Sequence, residues 1–299
     1  MTALLDSAAL DQAGDTGTTL ARLVRAEFMK IRTTGTGWLF LTCFIVFTAL
    51  ALTINGFGNH SQLYPEQGLV SPAQAVAQEA HFRSPAGVAA IAASMMTSGQ
   101  LFGVIFALLL GVLIVTSEFA NQTAAVTFVT VPHRTTVIRA KVAAAACCGA
   151  LFWLVGTVIA AVITPPFLYT QHVSTSLAGW TVTRSVLLNL LAFVAWGVFG
   201  LGLGAVLRSQ MASVVAAIVV YAGSFGTELV FTALYNFFHQ GWMLGAPVIG
   251  PAVASEVMTT SGPAFPHAPP AWAGGVILIG YTVALAAAGL ALTKRRDVI

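Results

Sequence analysis

Charge is what this sequence has least of. Asp, Glu, Lys and Arg together make up 8% of its 299 residues, against about 25% in an ordinary soluble domain. With 57% hydrophobic residues and a mean hydropathy of +0.86, the chain cannot coat a globule with polar side chains. A soluble fold is excluded and the membrane class is indicated. The formal net charge of +3 is too small to imply a nucleic-acid partner. Cysteine is also scarce. Cys43, Cys147 and Cys148 lie inside apolar runs, where they read as small residues filling helix interfaces. No Cys/His spacing suits zinc, so no metal site is expected.

Lysine is equally scarce, and this decides a question of chemistry. A P-loop needs Gly immediately before a Lys that reaches the β- and γ-phosphates. Lys30, Lys141 and Lys294 follow Met29, Ala140 and Thr293, so this chain cannot bind ATP by that motif. There is no H-E-x-x-H and no Ser/His pair at informative spacing. His60, His81, His172, His239 and His267 fall in outer segments and His133 in an inner loop. An intramembrane hydrolase is excluded and no catalytic residue is expected.

What the chain does have is long apolar runs. A span needs about 20 apolar residues at 1.5 Å each to cross a hydrocarbon core of about 30 Å. Six segments qualify, at about 38–54, from between 88 and 100 to 116, 142–163, 186–207, 211–237 and 271–292. Pro165 and Pro166 are expected to stop the third. With the N-terminus inside, Arg22, Arg25, Lys30, Arg32, Arg134, Arg139, Lys141, Arg208, Lys294, Arg295 and Arg296 all lie inside, and only Arg83 and Arg184 outside. The positive-inside rule therefore sets both termini inside. The turn Arg208–Ser209–Gln210 is so short that the fourth and fifth spans must form an antiparallel pair.

Residues 1–16 are small and polar, with Asp6, Asp11 and Asp15 but no basic stretch or apolar core of a signal peptide. They are expected to form a disordered cytoplasmic tail. From 17 to 35 the chain reads as an amphipathic helix lying in the membrane interface. Leu20, Leu23, Val24, Phe28 and Ile31 fall on one side, and Arg22, Arg25, Lys30 and Arg32 largely on the other. Residues 36–299 then form the six-helix membrane domain. The outer stretch 239–270 is semi-apolar and rich in Gly and Pro. It is read either as an ordinary extracellular loop or as short helices dipping back into the outer leaflet, which irregular backbone tolerates only when protein covers it or a cavity adjoins it. Small residues recur at four-residue spacing, at Gly103, Ala107 and Gly111 and again at Gly200 and Gly204, a pattern that lets helices approach closely. Glu228 lies within the fifth span, near Tyr221 and Asn236. An acid there costs at least about 2.5 kcal/mol on insertion scales, so it reads either as a polar group on a substrate path or as a structural hydrogen-bonding group.

The inner loop that follows the second span is too long and too apolar to be a simple linker. It opens with Ser117–Glu118–Phe119 and continues through Thr123, Phe128, Pro132–His133–Arg134 and Arg139 to Lys141. That order resembles the permease subunits of ABC-2 type exporters, whose first inner loop carries an acid–aromatic pair, a Thr, a Pro-x-Arg and a closing Lys. The stretch RAEFMKIRTTGTGW, with Arg25, Glu27 and Lys30, resembles the helix before that family's first span. Here Gln122 stands where the family has Gly before its Thr. The resemblance covers nearly the whole chain and implies an all-α membrane protein of six transmembrane helices, N-in and C-in, led by an interfacial connecting helix. It also implies a half-transporter: a second permease copy or paralogue beside it, two ABC ATPase subunits beneath, and ATP and magnesium bound by those partners with no cofactor in this chain. Residues near 118–130 would enter a cleft on the ATPase as a coupling helix, with Glu118 pairing an ATPase cation, Phe128 and Val131 as apolar anchors, and Arg134, Arg139 and Lys141 flanking it. The few charges in the spans favour an amphipathic or hydrophobic substrate. Two alternatives remain: an ATP-independent carrier or channel, and a non-transporting scaffold or immunity protein.

Overall fold

The computed structural model describes residues 20–65, 71–121, 134–174, 177–265 and 267–295. The expected tail at 1–16, together with Thr123, Phe128, Val131 and Pro132, lies outside these. Among the described residues the chain is helical, with no strand. The helices are α1 (Leu20–Thr33), α2 (Thr36–Leu63), α3 (Pro72–Arg83), α4 (Pro85–Thr97), α5 (Gln100–Ala120), α6 (Arg134–Thr170), α7 (Trp180–Leu207), α8 (Gln210–Phe238), α9 (Pro251–Thr259) and α10 (Ala271–Arg295). Six units are long and apolar enough to cross a membrane: α2, α4 with α5, α6, α7, α8 and α10.

Each sequence-read segment finds its helix, with extended ends. The second span begins at Pro85 and breaks at Ser98–Gly99 into α4 and α5. The connection between the first two spans holds a helix of its own, α3, opened by a capping box in which Ser71 and Gln74 satisfy each other's backbone amides. One expectation is overturned. Pro165 and Pro166 do not stop the third span, because α6 runs through them to Thr170. A proline removes one amide donor and crowds the preceding turn. In an apolar surround, however, unwinding would strip still more backbone groups of partners, so the helix persists. Thr164 in the same turn donates to the Ala160 carbonyl at 2.7 Å.

Helix α7 is the centre of the bundle. It is buried along most of its length, whereas α2, α8 and α10 keep most of their apolar side chains exposed, as lipid-facing helices do. The small-residue faces explain how the bundle closes. A Cβ on Gly200 would collide with the Leu108 carbonyl, and one on Gly111 with the Gly197 carbonyl. Helices α5 and α7 therefore touch backbone to backbone, the contact that small residues permit. Around this seam the rings of Phe44 and Phe152 lie 5.0 Å apart and those of Phe44 and Phe193 6.1 Å apart. Trp196 is fully buried beside them.

The stretch before the last span folds onto the bundle. It makes two short 3-10 turns, Gly241–Leu244 and Ala246–Ile249, and then α9, whose Ala252–Ser255 and Val257–Thr259 are buried. Thr227 of α8 donates to the Pro247 carbonyl at 3.0 Å, and Tyr281 of α10 to the Ile249 carbonyl at 3.1 Å. Its backbone is thus covered by protein, which is the condition for irregular structure in an apolar surround.

Candidate functional site

Four charged side chains from three helices meet at one end of the bundle. Glu27 and Lys30 come from α1, Glu118 from the last turn of α5, and Lys141 from the second turn of α6. Lys30 Nζ lies 3.2 Å from Glu27 Oε1 and 2.6 Å from Glu118 Oε1. Lys141 Nζ lies 2.9 Å from Glu27 Oε1 and 2.8 Å from Glu118 Oε1. Each carboxylate therefore touches both ammoniums, and the four groups close into a ring of alternating sign with no net charge.

The ring is largely shut off from water. Glu27, Glu118 and Lys141 are 7%, 5% and 5% exposed, which forces every donor to be paired. Lys141 meets that demand: its third hydrogen goes to the Ile114 carbonyl at 3.3 Å. Lys30 stands half-exposed at the rim. Burial pulls its pKa down, but the hydrogen bonds and charges of Glu118 and Glu27 outweigh that and hold it above the ordinary 10.5.

Local sequence explains how the ring assembles. Glu27 sits in the apolar stripe of α1, four residues after Leu23 and three after Val24, so it turns inward with Phe28 and Ile31, which pack on the core. Arg22, Arg25 and Arg32 stay exposed on the other side. The stripe carried the signal, since an acid among apolar positions at helical spacing needs polar partners when it is buried, and a cation is one that keeps it charged. What the spacing cannot say is that the cation would be Lys141.

Glu118 and Phe119 point in different directions. While Glu118 enters the ring, the Phe119 ring lies under the Arg208 guanidinium at 5.5 Å, within cation–π range. Arg208 is the left-handed residue that ends α7, and its Nη2 donates to the Leu292 carbonyl of α10 at 3.2 Å. The acid–aromatic pair thus reaches α1 and α6 through one side chain, and the α7–α8 turn and α10 through the other. Within the chain the Glu118 carboxylate meets Lys30 and Lys141, both through Oε1. Arg139 is exposed on α6. Arg134 opens α6, and its side chain lies outside the described residues.

The expected substrate-path residues separate. Glu228 and Asn236 are exposed on α8. Tyr221 is buried, and its hydroxyl donates to the Leu101 carbonyl. It also lines a cavity of about 690 Å³ at the end of the bundle away from the charged ring, between α2, α4, α5, α8 and α9. Sequence reasoning missed the polar wall of that cavity. Asn55 donates to the Ser94 carbonyl at 2.9 Å and to Ser98 Oγ at 2.7 Å, Asn59 donates to Asn55 Oδ1 at 2.7 Å, and Gln100 donates to Ser255 Oγ at 2.8 Å.

The family model described as ABC-2 family transporter protein matches residues 21–298, which takes in all four members of the charged ring and all six spanning units. No curated protein sequence matches the chain. With a family match over nearly its full length and, among the described residues, six apolar spanning units of which α7 is the central one, the chain belongs to the ABC-2 transporter family.

Proposed function

We propose that this chain is the permease half of an ATP-driven exporter. It pairs with a second permease in the cell membrane with both termini in the cytoplasm, and moves an amphipathic or hydrophobic substrate outward. ATP and magnesium sit on two separate ATPase subunits, and hydrolysis takes place there. The charged ring carries this reading. Helices α5 and α6 flank the stretch 122–133, and Glu27, Lys30, Glu118 and Lys141 join their ends to α1. A force applied to that stretch reaches α1, α5 and α6 as one body, and through Phe119 and Arg208 it reaches α7, α8 and α10. Buried charge networks resist sliding because separating the partners leaves charges uncompensated, so the inner ends move together. ATP-driven closure of the ATPases then becomes a tilt of spans rather than a local loop motion.

The test is affinity purification of the chain from its native membrane in mild detergent. The expected result is a stoichiometric P-loop ATPase that is lost when residues 122–133 are replaced by a Gly/Ser linker. Recovery of the chain without any ATPase, together with gradient-driven flux in liposomes, would move the function to an ATP-independent carrier.

A further inference from the structure

The cavity of about 690 Å³ opposite the charged ring has an uneven chemistry. Aromatic side chains of α3 and α8, Phe82, Tyr221 and Phe225, line it together with neutral hydrogen-bonding groups, Asn55, Asn59, Ser94, Ser98 and Gln100. Among the described residues lining it there is one carboxylate, Glu256, and no lysine or arginine; His81 is the other titratable group besides Tyr221.

Glu256 is placed to serve the cavity. It is the exposed residue of α9 between buried Ser255 and Val257. The helix is thus anchored on both sides of a carboxylate that opens onto the cavity. Water reaches Glu256 through the cavity mouth, yet the protein around the carboxyl removes much of its hydration, and this desolvation, with Glu228 nearby as the second cause, raises its carboxyl above the usual range. A bound cation relieves both effects at once, and aromatic faces add to the attraction of a cation held against them.

We propose that this cavity is a binding site for an organic cation with an apolar or aromatic body, recognised by the Glu256 carboxylate, the neutral amides of α2 and α5, and the Tyr221 and Phe225 rings. An anion of the same size has no lysine or arginine among the described lining residues to meet it. The volume is in the range of small-molecule sites, about 300–1,000 Å³. The inference rests on the exporter reading for its role, as the outer-side site of the transported molecule, but the site itself needs no ATPase.

The test uses two probes of nearly equal shape and opposite charge, tetraphenylphosphonium and tetraphenylborate. Each is titrated by equilibrium dialysis against the full chain in zwitterionic-lipid nanodiscs without nucleotide, with empty nanodiscs as the blank. Tetraphenylphosphonium is expected to bind saturably at one site. Glu256→Gln weakens it about tenfold or more, Glu256→Asp largely restores it, and Ser261→Trp at the cavity margin abolishes it. Tetraphenylborate shows only the partitioning of the blank. Equal behaviour of the two probes, or phosphonium binding unchanged by Glu256→Gln, overturns the assignment even if Ser261→Trp blocks binding. Because dialysis involves no ATPase, loss of the exporter reading leaves this result standing, and a negative result here leaves ATPase capture untouched.

Discussion

Lys141 Nζ lies 2.9 Å from Glu27 Oε1, although 114 residues separate them. The contact ties a helix beside the spans to the start of the third span. Because Lys141 also holds Glu118 at 2.8 Å, the pair is one edge of a closed ring rather than an isolated bridge.

Removing Lys141 should therefore be costly. In Lys141→Met, Glu27 and Glu118 are left buried with only the half-exposed Lys30 between them. Breaking a buried pair in this way costs about 3–5 kcal/mol. Thermal unfolding in detergent should show a large fall in midpoint. The triple variant Glu27→Gln/Glu118→Gln/Lys141→Met should recover much of it, since no unpaired carboxylate then remains. A Lys141→Met protein as stable as the parent would mean the ring does not form.

Charge reversal separates a ring from two independent bridges. For an isolated Glu118–Lys141 bridge, Glu118→Lys/Lys141→Glu restores the attraction. In the ring, the same exchange sets the new lysine against Lys30 and the new glutamate against Glu27, so like charges meet where attractive contacts of 2.6 Å and 2.9 Å stood. The double exchange should thus be no more stable than Glu118→Lys alone, and reversal of all four residues should rescue it. Rescue by the double exchange alone would rule out the alternating arrangement.

The same ring sets an alkaline limit. Lys30 has its pKa raised above 10.5 in the folded protein, with burial opposing and Glu118 and Glu27 prevailing. A group whose folded pKa exceeds its unfolded value stabilises fully below the unfolded value and loses that contribution as pH rises through the folded one. Protease protection of the α1–α2 junction near Gly35 should thus persist to about pH 10.5 and fall above it. Lys30→Arg should extend the protected range, because guanidinium stays charged. Release beginning near neutral pH would contradict the assignment.

The seam between α5 and α7 predicts a packing defect. A Cβ on Gly200 meets the Leu108 carbonyl, which is backbone and cannot swing aside. Gly200→Val should force the two helices apart and cost about 1–3 kcal/mol or more. Gly223→Val on α8, where a Cβ meets nothing, should be close to neutral. Comparable melting points for the two variants would show that the seam is looser than described.

The proposed joint motion of the helix ends at the charged ring can be tested at the aromatic half of the acid–aromatic pair. Phe119→Leu removes the ring under Arg208 but keeps an apolar side chain, so stability should change by only about 0.5–1 kcal/mol. If the proposed exporter transmits force through this contact, substrate-stimulated ATP hydrolysis by the assembled complex should drop several-fold in that variant. Unchanged stimulation would confine transmission to the charged ring.

Much of this architecture follows from local sequence. Apolar runs of about 20 residues have few ways to exist outside lipid, so the number and approximate position of the spans were legible from composition alone. The four-residue spacing of Gly103, Ala107 and Gly111 and of Gly200 and Gly204 announced a close seam for the same reason: a helix face without side-chain bulk is a local property. The double proline at 165–166 points the wrong way, because proline breaks a helix readily only where water can take up the freed carbonyls. The partners of the charged residues were of another kind. Glu27 in an apolar stripe required a polar partner, yet any of several would have satisfied that requirement. Only the packing of α1 across α5 and α6 brought Lys141 within reach of it and Lys30 within reach of Glu118. The polar cavity was hidden likewise, since Asn55, the stretch Ser94–Gln100 and Glu256 lie far apart along the chain and each looks like an unrelated polar feature near a span end. Sequence determined which segments must be buried, because hydrophobicity is additive along the chain. The tertiary structure decided which charges and amides face one another, because pairing depends on distances that no local pattern encodes.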